Sequence, residues 1–233
     1  MSRYTSAYVT FVRGLEEVES LRKIAKIKER EDPVGDRHEI NAVCRGAIVL
    51  LSAHLEAYVK DLGESVLDAI HAQNVLRGGL HSAIFYHISK DVIDDLLEAK
   101  EPSKIAEKVF LFLDSDLSHW SKDGPFPIPL PVDRFNKGFS NPGVDKIRAY
   151  FCRFGYSDFK SDLGRHLRAN GPPTINMVNH LVDTRNKIAH GDSFVTKTPA
   201  ELADMIAFTR KFGMATDSVF ASWCKVNLCS IRS

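Results

Sequence analysis

DRHEINAVCRGAIVLLSAHLEAYVKDLGESVLDAIHAQN, residues 36–74, is the stretch that decides the fold. Apolar residues recur at three- and four-residue steps through Ile40, Cys44, Ile48, Leu51, Leu55, Val59, Leu62, Val66 and Ile70. That period draws one unbroken stripe along an α-helix. Arg77-Gly78-Gly79 then stops it. A helix this long with an apolar stripe needs other helices to cover it.

Working outward, residues about 4 to 31 repeat the pattern with Tyr8, Phe11, Leu15, Val18, Ile24 and Ile27, and end before Pro33-Val34-Gly35. The short break predicts an antiparallel helical hairpin. Further helices are predicted from about Ser82 to Lys100, from Pro102-Ser103 to about Leu117, over about 142–155 and 157–169, from a Thr174 cap to about Ala189, and from Thr198 to about Asn227. The last has a strong start, because Thr198, Pro199 and Glu201 spell a capping box with proline in the first turn. Strand signals are scarce. The expected fold is a single all-α domain over residues 1–233, a helical bundle of six to eight helices built on long antiparallel ones.

Residues 121–141 depart from this pattern. Gly124-Pro125-Phe126-Pro127-Ile128-Pro129-Leu130-Pro131 alternates proline with apolar side chains, which forbids helix and favours an extended backbone. It reads as a Pro-rich inserted loop packed on the surface, or as a docking segment for a partner.

Composition is that of a folded protein, with 44% apolar residues, 26% charged residues and a net charge of +1. Such a balance neither demands nor excludes nucleic acid, so charge must be read locally. Between Arg134 and Arg168 there are eight Lys and Arg against three Asp, which is either a solvated face or a surface for phosphate backbone. Arg148, Arg153, Arg165 and Arg168 are its candidate RNA contacts. Cys44, Cys152, Cys224 and Cys229 form no Cys-x-x-Cys pair and are expected as reduced thiols of a cytoplasmic protein, with Cys224 and Cys229 the candidates for reactivity. No signal-peptide plan and no window of eighteen apolar residues is read, so no membrane partner is expected. Phosphate-binding loops, nucleophile elbows, dinucleotide fingerprints and metal-ligand spacings are absent from the sequence, and neither cofactor nor metal is expected.

Chemistry concentrates at Arg185-Asn186-Lys187-Ile188-Ala189-His190, followed by Gly191. The stripe Val178, Leu181, Val182 continues onto position 185, where an apolar residue is due and an arginine stands. A charge placed inward is costly unless it is paired or lines a cavity. One reading pairs Arg185 with Glu56 of the long helix; the other leaves it free to hold a phosphate. His190 follows five residues later, about 140° round an ideal helix. Gly191 should end the helix there, so His190 could swing toward Arg185 or simply cap the helix. Asn186 lies four residues before His190 and could orient it.

An arginine and a histidine at this spacing, at the end of a late helix in an all-α chain, resemble the signature of the HEPN superfamily. Arg45 to Leu62 and Asn179 to Asp192 are similar to the RiboL-PSP type of HEPN-like nucleases. The resemblance implies a metal-independent endoribonuclease in which Arg185 holds the scissile phosphate, His190 acts on the 2′-hydroxyl or the leaving 5′-oxygen, and Asn186 orients one or the other. It implies RNA as substrate, 2′,3′-cyclic phosphate and 5′-hydroxyl products, and a homodimer with its active site at the interface. Lys187 then joins the RNA contacts, and Glu56 and Arg45 support the site. A role in phage defence or as a toxin, with an antitoxin or defence-system protein as partner, accompanies that reading. The alternative is a non-catalytic HEPN-like module that binds RNA or protein.

Overall fold

The structure is a computed structural model that describes residues 3–232. The described residues form helices and connecting loops with no strand. The elements are α1 (Ser6–Glu31), α2 (Arg37–Ala72), α3 (Ser82–Ile88), α4 (Lys90–Glu98), α5 (Pro102–Ser115), α6 (Val132–Asn136), α7 (Val144–Cys152), α8 (Phe159–Leu167), α9 (Gly171–Ala189) and α10 (Pro199–Asn227).

Helix α2 has 36 residues, so it is about 54 Å long and forms the axis of the molecule. Its stripe is buried from Ile40 to Ile70. Helix α1 runs antiparallel to it, with Phe11 stacked on Tyr58 and Lys28 paired with Asp36 and Glu39 beside the turn. Helix α10 runs parallel to α2. Lys197 meets Asn41 at one end, and the Tyr58 hydroxyl donates to the Gly213 carbonyl at 2.9 Å midway. Helix α9 returns antiparallel to α10. These four make the bundle, while α7 and α8 pack against α9 and α10. Two glycines mark where helices approach closely. A Cβ on Gly213 would strike the Phe11 ring at 2.5 Å, and one on Gly63 would strike the Tyr150 hydroxyl.

Several expectations are corrected. Residues 82–100 form two helices, because Ser89 turns its hydroxyl inward. That hydroxyl donates to Asp116 Oδ1 at 2.7 Å and accepts from Trp120 Nε1 at 3.0 Å, and the helix bends there. Helix α9 begins at Gly171, not at a Thr174 cap. Pro172 and Pro173 occupy its first turn, where a missing N–H costs nothing. Helix α2 is long and apolar enough to cross a bilayer, against the reading that no segment is; here α1, α9 and α10 cover its stripe. Burial pushes the Cys229 thiol up to about 11 and that of Cys224 well above its ordinary value, so neither is the reactive group they were read as.

The Pro-rich stretch is packed down. Phe126 and Leu130 are buried, and Arg77 donates to the carbonyls of Ser118, Asp123 and Gly124. The short helix α6 follows and buries Phe135.

Between α3 and α6, His87 lies edge-on to Phe135, and its Nδ1 is buried without a hydrogen-bond partner. Burial, reinforced by Arg153 and Lys90, pulls it down to about 4. Burial also lowers His119. The unfolded chain therefore binds protons between about pH 6.5 and 4 that the folded chain refuses, and stability falls as pH falls through that window. The parent should lose about 1–2 kcal/mol between pH 7 and pH 5 from His87 alone. Urea titrations of the parent and of His87→Gln at both pH values check this, and an unchanged pH slope in the variant would contradict it.

Candidate active site

The end of α9 is set by Gly191, which takes φ +81°, a left-handed conformation open to glycine at little cost. Its N–H donates to the Ile188 carbonyl at 3.1 Å, and the Asp192 N–H to the Lys187 carbonyl at 3.0 Å. This paired closure is a Schellman motif, so α9 stays regular through Ala189 and His190 sits at its cap. The chain beyond is fastened to α2. Arg45 Nη1 donates to the carbonyls of Asp192 at 2.6 Å and Val195 at 3.1 Å. Within that strap the Phe194 N–H donates to Asp192 Oδ1 at 2.9 Å, and the Phe194 ring stands 91% exposed.

Arg185 is half-buried and has no carboxylate partner among the described residues. The reading that pairs it with Glu56 is overturned. Glu56 instead accepts from Lys60 Nζ at 2.7 Å and from the Asn141 N–H at 3.2 Å, tying the loop before α7 to α2. Nor is Arg185 forced into the core. The last buried residue of α9 is Thr184, whose hydroxyl donates to the His180 carbonyl. Beyond it Ile188 still packs half-buried against the core while Ala189 is exposed, so the final turn is only partly covered. Arg185 keeps the inward phase of the stripe at the margin of the core, where it is half-buried, and its guanidinium escapes full desolvation.

Asn186 lies between Arg185 and His190 in helical projection, about 100° from one and 40° from the other. Arg185 Nη1 donates to Asn186 Oδ1 at 3.3 Å, which swings the guanidinium round toward the face of His190. Asn186 is thus bonded to the arginine and not to the histidine. The His190 side chain is exposed. On the same face Asn186 lines a cleft of about 430 Å3 with Asn141, Lys146, Asn179 and Asp183. Asn179 Oδ1 accepts the Val144 N–H at 3.0 Å and thereby docks the start of α7 on α9. Lys146 and Asn179 were not singled out as site residues from sequence; the fold brings them to one cleft with Asn186.

Few cations of the Arg134–Arg168 region are free. Arg134 pairs with Asp116, Lys137 with Asp91, Lys160 with Asp145 and Arg165 with Asp162. Arg153 turns inward, donating to the Phe135 carbonyl and lying over the Tyr150 ring at 5.0 Å, so its guanidinium is engaged within the fold. Arg165 and Arg168 precede α9, whose 19 residues carry the chain roughly 28 Å before His190 is reached. Lys187 and Arg148 are exposed on α9 and α7.

The RiboL-PSP-HEPN family model matches residues 15–222, from within α1 to within α10. The chain belongs to that family. No curated protein and no solved structure matches it. The HEPN match spans the bundle, the Pro-rich loop and the whole Arg185–His190 stretch, and it makes the chain a HEPN-like nuclease or RNA-binding module.

Proposed function

We propose that this HEPN protein is a metal-independent endoribonuclease whose catalytic residues are Arg185 and His190. The observation that carries the reading is the guanidinium of Arg185, bonded to Asn186, half-buried near the end of α9 and without a carboxylate partner among the described residues. A guanidinium without a carboxylate partner offers its fork of N–H donors to a phosphate. There it would neutralise the charge that builds on the non-bridging oxygens as the 2′-oxygen attacks phosphorus. His190, exposed at the cap, would take the proton from the 2′-hydroxyl or return one to the departing 5′-oxygen, general acid–base work for which an imidazole nitrogen can both accept and donate. The products would be a 2′,3′-cyclic phosphate and a 5′-hydroxyl.

Asn186 then acts as a positioning residue for Arg185. Lys146, Lys187 and Arg148 would meet phosphates beside the cleft, and Phe194 offers a face on which an unpaired base can stack. Arg185 and His190 start about 140° apart on one helix, and the Asn186 bond closes only part of that angle. Two copies joined at this helix end would supply the rest, which supports a homodimeric site.

The test is a single-stranded RNA and the same strand carrying 2′-deoxyriboses, incubated with the purified protein in EDTA. Cleavage of the RNA alone, to cyclic-phosphate ends, is expected. Cleavage of both strands equally excludes attack by the 2′-oxygen. RNA binding that falls steeply with salt, with no cleavage, supports the non-catalytic reading instead.

A further inference from the structure

Helices α4 and α5 stand apart from the rest of the molecule in one respect: neither contains a single buried residue. Helix α5 packs chiefly against α4 and the turn that follows it. Phe112 turns back onto Trp120, ring centroids 5.7 Å apart, and anchors the hairpin. Away from Trp120, Phe110 and Leu113 stand out from α5, with Val109 beside them and Leu117 in the turn that follows; Phe110 is 66% and Leu117 54% exposed. An exposed apolar cluster on an otherwise polar hairpin marks an interaction surface.

Its border is acidic. Residues 90–119 contain eight Asp and Glu against four Lys; five of the carboxylates are ion-paired, Asp91 and Asp116 by Lys137 and Arg134 of another segment, which leaves Glu98, Glu107 and Asp114 against Lys100. Glu107 and Asp114 flank the apolar cluster, and neither has an ion-pair partner among the described residues. Beside them lies a cleft of about 420 Å3, floored by Val92 and Leu111 and edged by Asp91, Asp95, Lys108 and Asp114, where Asp91 pairs with Lys137 and Asp95 with Lys108 and Asp114 is left without an ion-pair partner among the described residues.

We infer that this face binds an amphipathic helix of a partner protein whose apolar stripe is bordered by lysine or arginine. Leucine-sized side chains of the partner would cover Phe110, Leu113 and Leu117, and its cations would meet Glu107 and Asp114. A second copy of this chain fits poorly. Antiparallel pairing of two α5 helices about Phe110 sets Glu107 of each copy against Asp114 of the other, and like charges at a rim oppose association. An anionic membrane surface and RNA are repelled by the same carboxylates. The inference stands independently of RNA cleavage at Arg185 and His190.

The probe is a synthetic helical peptide with a leucine stripe flanked by lysines, and a twin with glutamates in place of the lysines, each titrated into the full-length protein by fluorescence anisotropy. The lysine peptide should bind saturably and more weakly as salt rises, and the twin at least about tenfold more weakly. Phe110→Asp with Leu113→Asp should lower affinity for the lysine peptide at least about tenfold at an unchanged melting temperature. Glu107→Lys with Asp114→Lys should reverse the preference between the two peptides. Equal binding of both peptides, no saturable binding up to roughly 100 µM, or a preference that survives charge reversal overturns the proposal. So does a dimer of the parent that Phe110→Asp dissolves, or adsorption to phosphatidylserine vesicles that the same change abolishes.

Discussion

Replacing Arg185 by alanine is expected to slow RNA cleavage by at least about 100-fold, and His190→Ala by about 100- to 10,000-fold, at equal protein stability. The first removes the donors aimed at the phosphorane, the second the group that moves protons. Stability should hold because neither side chain supports the fold: Arg185 bonds only Asn186, and His190 is exposed. Arg185→Lys keeps the charge and loses the planar fork, so it should fall between parent and alanine variant. Both alanine variants cleaving at the parental rate in EDTA would sink the proposal.

The same pair of variants tests where the site is assembled. If Arg185 of one copy works with His190 of the other, mixing the two inactive proteins restores part of the activity, since a mixed dimer holds one intact arginine and one intact histidine across the interface. If each chain uses its own pair, mixing restores nothing. Asn186→Ala should cost less than either, because it loosens the guanidinium without removing it. Its effect should weigh more on kcat than on binding, as for an interaction realised at the transition state.

What was legible in the sequence is what local physics dictates. The stripe from Ile40 to Ile70 gave α2, the Thr198–Glu201 box gave the start of α10, and Gly191 gave the end of α9 within one residue. Each depends on neighbours a few positions away. What was not legible depends on partners far along the chain. The wheel puts Arg185 on the inward face, but only the tertiary arrangement shows that the side chain is half-buried at the margin of the core, where full burial of α9 ends at Thr184. Ser89 breaks a helix because Asp116 and Trp120, 27 and 31 residues away, claim its hydroxyl. A count of basic residues over 134–168 could not see that the Phe135 carbonyl takes Arg153 and that Asp91 and Asp116 neutralise Lys137 and Arg134. Charge density along a sequence is a weak guide to a phosphate-binding surface when its counter-ions come from another element.

Asp217→Ala is expected to destabilise the protein by about 3–5 kcal/mol, the cost of breaking a buried, hydrogen-bonded charge pair. Asp217 is completely buried in α10. Its carboxylate accepts the N–H of Thr5 at 3.3 Å, the Thr5 hydroxyl, and Arg232 Nη2 at 3.2 Å. Thr5 in turn caps α1 by accepting the Tyr8 N–H at 3.1 Å. One side chain thus joins the first turn of α1, the body of α10 and the C-terminal tail, and its loss leaves the donors of Thr5 buried and unsatisfied. For a chain of this size that shift lowers the melting temperature by roughly 6–20 °C. Arg232→Ala should cost less, because its guanidinium is a quarter exposed and water can replace part of what it loses. The comparison also separates folding from chemistry. Asp217 meets Thr5 in the body of α10, roughly 27 Å along the helix from its start, while Lys197, just before that start, lies against Asn41, one turn of α2 from the Arg45 clamp on the strap after His190. Asp217→Ala should therefore cleave RNA at the parental rate per folded molecule at a temperature well below its midpoint. A loss of cleavage out of proportion to the unfolded fraction would mean that the two regions are coupled.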